Sequence, residues 1–293
     1  MKTIVEKSPI PQSRTFVSNR LIASFFDPNW HFHREYQLFI VLKGSGTRFI
    51  GDHVDSFFPG DLVFTGPNLP HLWRSDPEYF EEKNPDNTDG IVVYFNREIL
   101  GDYLLQKTEL YSIKQLLTLS HRGLHFPKKI SQQVLRKMIQ LSQSPNFNGY
   151  LILLDILNEL SKTKDYTLLS SPHYTNNLRL EDTDRMNKVQ AFVFKNFRSQ
   201  ISLEAVAQIA NMTPTSFSRY FTKHANKTFS NFLLEIRIGY ARKLLIETDQ
   251  NVNQIAYLSG FQTLSNFNYQ FKKLTNMSPS CFRETFHSFG GLG

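Results

Sequence analysis

The sequence predicts an α+β protein of several domains, with a barrel of short β-strands, a helical connector and an all-helical C-terminal domain. Three observations predict this order. Short apolar runs separated by turns extend to about residue 95, apolar residues then recur at helical spacing, and a helix-pair pattern occurs twice near the C-terminus. The hydrophobic content of 40% and the charged content of 20% are typical of a folded globular chain.

Length and composition exclude several classes of protein. A chain of 293 residues is long enough for about two domains. It contains no run of 18 uncharged apolar residues, and Glu6 and Lys7 stand where a signal peptide needs apolar residues. The single cysteine, Cys281, excludes an internal disulfide. We therefore expect a soluble cytoplasmic protein.

Short strands are predicted within residues 16–95. Apolar strands are expected at residues 37–42, 47–50, 62–65 and 91–95, and turns separate them. Residues 78–90 are acidic and rich in Asn, Asp and Pro, so they are predicted to form a loop. Strands this short and this regularly interrupted favour a small β-barrel or sandwich.

Helical spacing begins near residue 99. Helices are predicted at residues 99–105, 112–119, 130–141 and 150–160. The last two helices each carry an apolar stripe, formed by Ile130, Val134, Met138 and Leu141 and by Leu153, Ile156, Leu157 and Leu160. Each stripe could pack onto its own domain or form a dimer, because both arrangements need an apolar face.

These patterns divide the chain into four parts. Residues 1–125 contain the barrel and its following helices, residues 126–165 form a helical connector or dimerisation segment, and residues 166–183 form a linker. Residues 184–288 form the C-terminal domain. Up to residue 183 the chain has 20 basic and 20 acidic residues, whereas the remainder has 13 basic and 6 acidic residues. The net charge of +7 therefore lies at the C-terminal end and suggests a polyanionic partner.

A helix-turn-helix pattern occurs twice in the C-terminal domain. Such a motif needs a small residue where its two helices cross, and Ala207 and Ala256 meet that need. Its turn needs a residue that tolerates left-handed backbone, and Asn211 and Gly260 stand at those positions. Thr213, followed by a proline, is expected to cap the second helix of the first copy.

The second helix of each copy is amphipathic. Phe217 and Phe221 in the first copy, and Phe267 and Phe271 in the second, are spaced to face inward. The opposite faces are predicted to read base edges in the DNA major groove, and they carry Thr215, Ser218, Arg219, Thr222, Leu264, Ser265, Asn268 and Tyr269. Phosphate contacts are expected from Lys223, Lys272 and Lys273.

A long helix is predicted between the two copies, at residues 230–247. Its length of roughly 27 Å is close to the ~34 Å that separates successive major-groove faces on one side of B-DNA. A rigid spacer of this reach would let one chain place two recognition helices in adjacent major-groove segments. The repeat, the spacer and the basic charge together favour double-stranded promoter DNA as the partner.

A family resemblance rests on four segments, which are L-E-A-V-A-Q-I-A-N-M-T-P-T-S-F-S-R-Y-F-T-K, F-L-L-E-I-R-I-G-Y-A-R-K-L-L, I-A-Y-L-S-G-F-Q-T-L-S-N-F-N-Y-Q-F-K-K and S-P-S-C-F-R. With them, residues 184–288 resemble the DNA-binding domain of AraC/XylS-type transcriptional regulators. The resemblance implies that both recognition helices read an asymmetric promoter site and that Arg219 contacts a base. The equivalent position of the second helix, often arginine in the family, is Tyr269. Asn226 and Asn276 replace the usual glycine after a helix, and asparagine tolerates the same left-handed backbone.

Three histidines are predicted to come together in the barrel. His31 and His33 form an H-x-H pattern before the strand at residues 37–42, and His71 follows P-N-L-P. The pattern resembles that of cupins, small β-barrels whose metal-binding members use H-x-H, a glutamate four residues on and a later histidine. The fourth-on residue here is Gln37, a neutral amide and a poor metal ligand.

We therefore expect neither a metal nor another cofactor at these histidines. They are expected to line or rim an effector pocket, or to form hydrogen bonds within the barrel. The predicted pocket comprises His31, His33, Gln37, Arg48, His71 and Trp73.

Two functions are consistent with these features. The favoured one is a sequence-specific transcriptional regulator, expected to be an activator, that responds to a small-molecule effector such as a sugar or another metabolite. It is expected to form a homodimer and to contact RNA polymerase. The alternative is a metal-dependent cupin enzyme, which only the three histidines support. Because the sequence contains no recognisable nucleophile–base pair or phosphate-binding glycine loop, we expect no enzymatic activity.

Overall fold

The computed structural model describes residues 9–81, 84–176 and 180–290. The chain forms two compact units, of which the first contains nearly all the residues up to 176 and the second those from 180 onward together with residues 46–48 and 54–56. The residues up to 176 form β-sheets and helices, and the described residues from 180 onward form helices joined by turns. The predicted α+β class is confirmed.

The described part of the N-terminal unit contains nine strands in two sheets. They are β1 (Phe16–Ala23), β2 (Tyr36–Lys43), β3 (Gly46–Ile50), β4 (His53–Phe57), β5 (Leu62–Thr65), β6 (His71–Ser75), β7 (Thr88–Phe95), β8 (Leu124–Phe126) and β9 (Thr167–Leu168). The larger sheet has the order β1-β7-β2-β5-β8-β9, with antiparallel neighbours, and the smaller has the order β4-β3-β6. The strands predicted within residues 37–65 and at 91–95 all form.

Strand β2 is buried on both of its faces. Leu38 and Ile40 belong to a core that the larger sheet shares with helices. Phe39 and Val41 belong to a second core, which includes residues of both sheets. Because side chains alternate along a strand, Gln37 shares the face of Phe39 and Val41. The strand thus carries one polar side chain to the interior side of the sheet.

Helices cover the other face of the larger sheet. They are α2 (Tyr111–Leu119), α3 (Lys128–Ser142) and α4 (Phe147–Lys162). Every residue of the two predicted apolar stripes lies in the core between these helices and the sheet. Of the two arrangements left open by the sequence, the stripes adopt the one in which they pack onto their own domain.

The predicted loop at residues 78–90 is wrong at both of its ends. It begins with a short helix, α1 (Glu78–Glu81), and its last residues start strand β7 at Thr88. Thr88 is fully buried, and its hydroxyl donates a hydrogen bond to the Ala23 carbonyl of β1 at 2.9 Å. This pairing overrides the local turn-forming composition of the segment.

Two further predictions in this unit are wrong in detail. Residues 99–105 form short 3₁₀ turns and no α-helix, with turns at Arg97–Ile99 and Leu104–Gln106. The linker expected over residues 166–183 begins later, because β9 pairs with β8 and Leu169 is buried in the interior core. Long-range pairing of a two-residue strand leaves almost no periodicity for a sequence to show.

The C-terminal unit contains seven helices in its described residues. They are α5 (Leu180–Asn196), α6 (Leu203–Ile209), α7 (Pro214–Ala225), α8 (Phe229–Glu247), α9 (Val252–Leu258), α10 (Leu264–Thr275) and α11 (Pro279–Gly290). Helix α5 begins four residues before the predicted start of this domain. Helix α8 contacts α7, α9, α10 and α11, and buried residues lie around most of its circumference. The sequence pattern places Phe232, Ile236, Tyr240 and Leu244 on one apolar face of this helix, and the buried surface extends beyond that face.

Four left-handed residues end or connect the helices of this unit. Asn211 has a φ of 52° and Gly260 a φ of 84°, and both lie in the turn of a helix pair. Asn226 and Asn276, with φ of 53° and 60°, follow α7 and α10. All four match the sequence prediction. Asparagine and glycine are the residues that adopt this backbone at least cost.

Across the described residues, none of the helices combines the length and the apolar character needed to cross a lipid bilayer.

We predict that Gly260→Ala destabilises the second helix pair more than Asn276→Ala does. Both changes place alanine on left-handed backbone, which costs roughly 1–2 kcal/mol. A Cβ on Gly260 would in addition lie 2.5 Å from the Phe197 carbonyl oxygen, and backbone atoms cannot easily yield. Hydrogen exchange of α9 and α10 peptides in the full chain measures both effects. Equal acceleration by the two variants would contradict the close packing around Gly260.

Candidate nucleic-acid interface and barrel pocket

Helices α6 and α7 form the first helix-turn-helix. The Ser202 hydroxyl accepts a hydrogen bond from the Ala205 amide at 3.1 Å and so caps α6. The Thr213 hydroxyl accepts one from the Ser216 amide at 3.3 Å and caps α7, as predicted. Ala207 is 1% exposed, so its small side chain lets the helices approach each other closely.

Helices α9 and α10 repeat this arrangement. Asn251 and Gln254 form a capping box at the start of α9, and the Thr263 hydroxyl caps α10. Ala256 is fully buried at the position equivalent to that of the first alanine. Its carbonyl accepts a hydrogen bond from the Phe261 amide at 3.0 Å, which closes the turn. The chain therefore contains two similar helix pairs joined by α8.

Aromatic pairs hold the inner faces of α7 and α10. Phe217, Phe221, Phe267 and Phe271 are fully buried, as their spacing predicted. The ring centroids are 5.6 Å apart within the first pair and 5.5 Å apart within the second. Because these anchors occupy one side of each helix, the residues between them must turn to the opposite side.

Solvent reaches those opposite faces. The residues of the predicted base-reading set are exposed, except that Leu264 is half-buried; the exposed ones are Thr215, Ser218, Arg219, Thr222, Ser265, Asn268 and Tyr269. The predicted phosphate-binding residues Lys223, Lys272 and Lys273 are also exposed, towards the end of each helix. The two faces present hydroxyl, amide and guanidinium groups, which are the groups that recognise base edges.

A polar cluster fixes α7 against the start of α5. The Tyr220 hydroxyl donates a hydrogen bond to the Asp182 carbonyl at 2.8 Å, and the Arg185 guanidinium lies 5.3 Å from the centre of the Tyr220 ring. His224 Nε2 lies 3.8 Å from an Asp182 carboxylate oxygen. Burial lowers the pKa of His224 despite this carboxylate, and burial raises the pKa of Tyr220 to about 12. Sequence reasoning missed the cluster because it placed Asp182 in the linker.

In the N-terminal unit, the structure brings the three predicted histidines together. His31 and His71 face each other across an isolated antiparallel bridge, so the H-x-H segment lies before β2 and not within a strand. The His71 ring centroid lies 4.6 Å from that of His31 and 4.9 Å from that of His33. One ring nitrogen from each of the three lies within 4.8 Å of the others.

Gln37 connects two of these histidines. Its Oε1 atom lies 3.1 Å from Nε2 of His33 and 3.1 Å from Nε2 of His71. Burial lowers the pKa of His33, and burial with the two neighbouring histidines holds the pKa of His71 well below its ordinary value. Both shifts favour the neutral form of the imidazole. Burial also raises the pKa of the nearby Tyr94 phenol to about 12, so it keeps its proton.

A cavity of about 170 Å³ lies beside this cluster. Of the predicted pocket residues, His31, Gln37 and Trp73 line it, and His33 and His71 are connected to it through Gln37. The remaining lining residues are Leu21, Phe26, Asp27, Phe39, Val92 and Tyr94. Sequence reasoning missed them, although the period-two alternation from Gln37 could have identified Phe39.

Arg48 is the one predicted pocket residue that the structure places elsewhere. Among the described residues it does not line the cavity, and its guanidinium lies 3.9 Å from the Asp55 carboxylate in the neighbouring strand β4. Arg48 is only 1% exposed. A larger cavity of about 560 Å³, which the sequence did not indicate, is lined by Phe16, Ile99, Phe147 and Tyr150 among others.

Comparison with known proteins matches both units. A family model described as AraC-like ligand binding domain matches residues 14–146, and one described as helix-turn-helix domain matches residues 206–285. The chain is similar to the uncharacterized HTH-type transcriptional regulator YdeC of Bacillus subtilis (strain 168), with 24% identity over 261 residues that cover 87% of this chain and 85% of the relative.

Two further similarities extend along most of the chain. The HTH-type transcriptional activator RhaS of Enterobacter sp. (strain 638) is 23% identical over 264 residues, which cover 87% of each chain. The crystal structure of an apo single-residue variant of ToxT from Vibrio cholerae is 17% identical, covers 92% of this chain and 97% of that one, and has a TM-score of 0.36.

A ligand-binding β-domain followed by a helix-turn-helix domain defines a class of DNA-binding regulators with two functional parts. The two matches fall in that order along the chain, and the relatives that span most of its length are named as transcriptional regulators. The chain belongs to the AraC family of DNA-binding transcriptional regulators.

Proposed function

We propose that this protein is a sequence-specific regulator that reads promoter DNA in the cytoplasm with α7 and α10 and responds to an effector bound in its barrel cavity. The observation that carries the proposal is the doubled helix pair, in which buried phenylalanines turn two polar helix faces towards solvent. We assign no catalytic role to His31, His33 and His71, although the sequence raised a metal-dependent enzyme as the alternative.

The two recognition helices would contact DNA through different groups. Arg219 on α7 would donate two hydrogen bonds to the O6 and N7 atoms of a guanine, and Asn268 on α10 would pair with an adenine edge. Tyr269 offers a single hydroxyl and an apolar ring, so it cannot make the bidentate guanine contact of an arginine. Lys223, Lys272 and Lys273 would bind phosphates and add affinity without sequence preference.

Helix α8 sets the reach between these contacts. Its 19 residues span roughly 28 Å at 1.5 Å per residue, which is near the ~34 Å helical repeat of B-DNA. Contacts with α7, α9, α10 and α11 hold it in place. We therefore propose that one chain engages two successive major-groove segments on the same side of the duplex.

Activation is supported by the relative RhaS, which is named as a transcriptional activator. An activator that binds promoter DNA would contact RNA polymerase. We therefore propose that this protein activates transcription and that it contacts RNA polymerase.

A homodimer is also part of the proposal. The stripes first considered for it are buried in the domain core, so the dimer would use the outer side of α4, where Phe147 is 72% and Leu151 is 48% exposed. We expect a dimer at micromolar concentration by sedimentation velocity. Phe147→Asp combined with Leu151→Asp should yield monomers, whereas Asp155→Ala on the same helix should not. A monomeric wild-type chain would contradict this part of the proposal.

The effector site is proposed at the cavity beside Gln37. Phe26, Phe39 and Trp73 give it apolar walls, while His31 and Gln37 add polar groups that can orient a ligand. Its volume of about 170 Å³ fits a small metabolite or one part of a larger one.

The DNA contacts predict different outcomes for Arg219→Ala and Lys223→Ala. Loss of Arg219 should cost about 1–3 kcal/mol of specific affinity, because a bidentate base contact is lost. Loss of Lys223 should weaken binding to all sequences alike. It should also reduce by about one the number of counterions that are released on binding, which the salt dependence of the affinity measures. Fluorescence anisotropy with a genomic fragment selected for binding, and with a scrambled fragment at several salt concentrations, separates the two effects.

A double variant provides the decisive control for these contacts. Arg219→Ala combined with Asn268→Ala should abolish the preference for the selected fragment over the scrambled one, while circular dichroism remains unchanged. If the double variant keeps the wild-type preference, α7 and α10 do not read the bases.

The effector site predicts a fluorescence response from Trp73. The chain has two tryptophans, so Trp30→Phe leaves Trp73 as the sole reporter at the cavity. A metabolite that alters DNA binding should shift the Trp73 emission, and Val92→Phe should remove both effects by filling the cavity. A compound that alters DNA binding equally in wild type and Val92→Phe would place the effector site elsewhere.

A further inference from the structure

The exposed faces of α7 and α10 differ at one matched position. Arg219 and Tyr269 lie the same distance after the capping residues Thr213 and Thr263, so they occupy equivalent places in their helices. Arg219 offers a guanidinium group, which only donates hydrogen bonds. Tyr269 offers an aromatic ring that is 64% exposed. The two helix pairs are therefore built alike, but their exposed faces carry different chemistry.

A second apolar side chain lies at the beginning of α10. Leu264 is the first residue of this helix and is half-buried, and the equivalent residue of α7 is Pro214. Proline is favoured at the first position of a helix, because its ring fixes the backbone angle and its missing N–H would have no partner there. Leucine lacks that advantage. It places a branched apolar group beside the exposed polar side chains of α10.

Asn268 lies between these two apolar groups. At about 100° per residue, Asn268 projects roughly 40° from Leu264 and roughly 100° from Tyr269 around the helix axis. Leu264 also precedes Asn268 by four residues, so the two side chains are neighbours on the helix surface. All three residues belong to the N-terminal half of α10, and the N-terminal residues of a recognition helix contact base edges. The exposed face thus presents one amide with an apolar group on each side.

This combination of groups is complementary to an A·T base pair. An asparagine amide can form two hydrogen bonds with N6 and N7 of adenine. The partner of adenine is thymine, whose C5-methyl group projects into the major groove and binds apolar side chains. Guanine instead presents two acceptors, O6 and N7, which an arginine can satisfy and a leucine cannot.

We propose that α10 recognises thymine C5-methyl groups through Leu264 and Tyr269, on either side of an adenine that is bound by Asn268. The inference rests on the proposed function, in which α10 lies in the major groove of promoter DNA. It adds the chemical group that this helix recognises and the two side chains that recognise it.

The proposal also gives the base composition of the DNA site. Arg219 on α7 is directed at a guanine, whereas the groups on α10 require adenine and thymine. The site should therefore combine one subsite that contains a G·C pair with one that is rich in A·T pairs. Lys272 and Lys273, which are exposed towards the end of α10, would bind phosphates beside the A·T-rich subsite.

Replacement of thymine by deoxyuridine tests the proposal, because it removes the C5-methyl group and leaves the hydrogen-bonding groups of the base in place. Fluorescence anisotropy measures binding of the full chain to a genomic fragment selected for binding. Single thymines of the protected region are replaced in turn. We expect about a threefold to fivefold loss of affinity at two or more thymines of one subsite, the factor that corresponds to burial of one methyl group.

Variants of α10 connect that loss with particular side chains. Leu264→Ala and Tyr269→Ala should each bind thymine and deoxyuridine equally at one of the sensitive positions, because the apolar partner of the methyl group is gone. Tyr269→Phe keeps the ring and should keep the wild-type loss. Tyr257→Ala is the matched control, since it removes another exposed tyrosine, on α9, and should also keep the loss.

Folding of the variants is checked separately. Leu264 is half-buried, so Tyr269→Ala is the variant that should disturb folding least. Circular dichroism and the affinity for a scrambled fragment should both match those of the wild-type chain for this variant.

Two results would overturn the proposal and leave the proposed function intact. One is selective binding of the fragment with no thymine sensitive to deoxyuridine, which would show that α10 reads no methyl group. The other is a loss that persists at every sensitive thymine in both Leu264→Ala and Tyr269→Ala, which would place the methyl contacts elsewhere in the protein. A wild-type chain that does not prefer the selected fragment over a scrambled one would contradict the proposed function, and this inference with it.

Discussion

Burial of the phenylalanine pairs on α7 and α10 is the constraint on which the DNA-binding unit depends. Phe221 lies 5.1 Å from Phe232 of α8, and Phe271 lies 5.5 Å from Phe282 of α11, measured between ring centroids. These contacts fix the rotation of each recognition helix about its own axis. A helix that is fixed in this way can present only one set of side chains to a partner. The polar faces of α7 and α10 are therefore a consequence of core packing.

The same reasoning applies to the larger sheet of the N-terminal unit. Helices α3 and α4 cover one face, to which β2 contributes Tyr36, Leu38 and Ile40. The other face carries Gln37 among aromatic side chains. A polar side chain in such surroundings needs partners, and the histidines supply them. The candidate ligand site thus arises where a strand of alternating side chains brings one amide into an apolar interior.

Sequence reasoning succeeded wherever local chemistry determines structure. Caps such as Thr213, turn residues such as Gly260 and the inward spacing of Phe267 and Phe271 are local signals, and each appears in the structure as predicted. The three histidines were also correctly expected to gather.

The predictions failed where contacts between residues far apart in the sequence determine the structure. Strand β9 forms through pairing with β8, about 40 residues earlier in the chain. Arg48 lies away from the cavity, although its strand β3 directly follows β2 in the sequence. The orientation of the His71 ring depends on its contact with the Leu69 carbonyl group, whose position no sequence pattern shows.

If α7 and α10 read one face of a DNA duplex at successive turns, hydroxyl-radical footprinting of a selected fragment should show this. We expect two protected patches on the same side of the duplex, about 10 base pairs apart. Both patches should persist for a variant that is monomeric in solution. A single patch, or two patches on opposite sides of the duplex, would rule out this arrangement of the two helices on DNA.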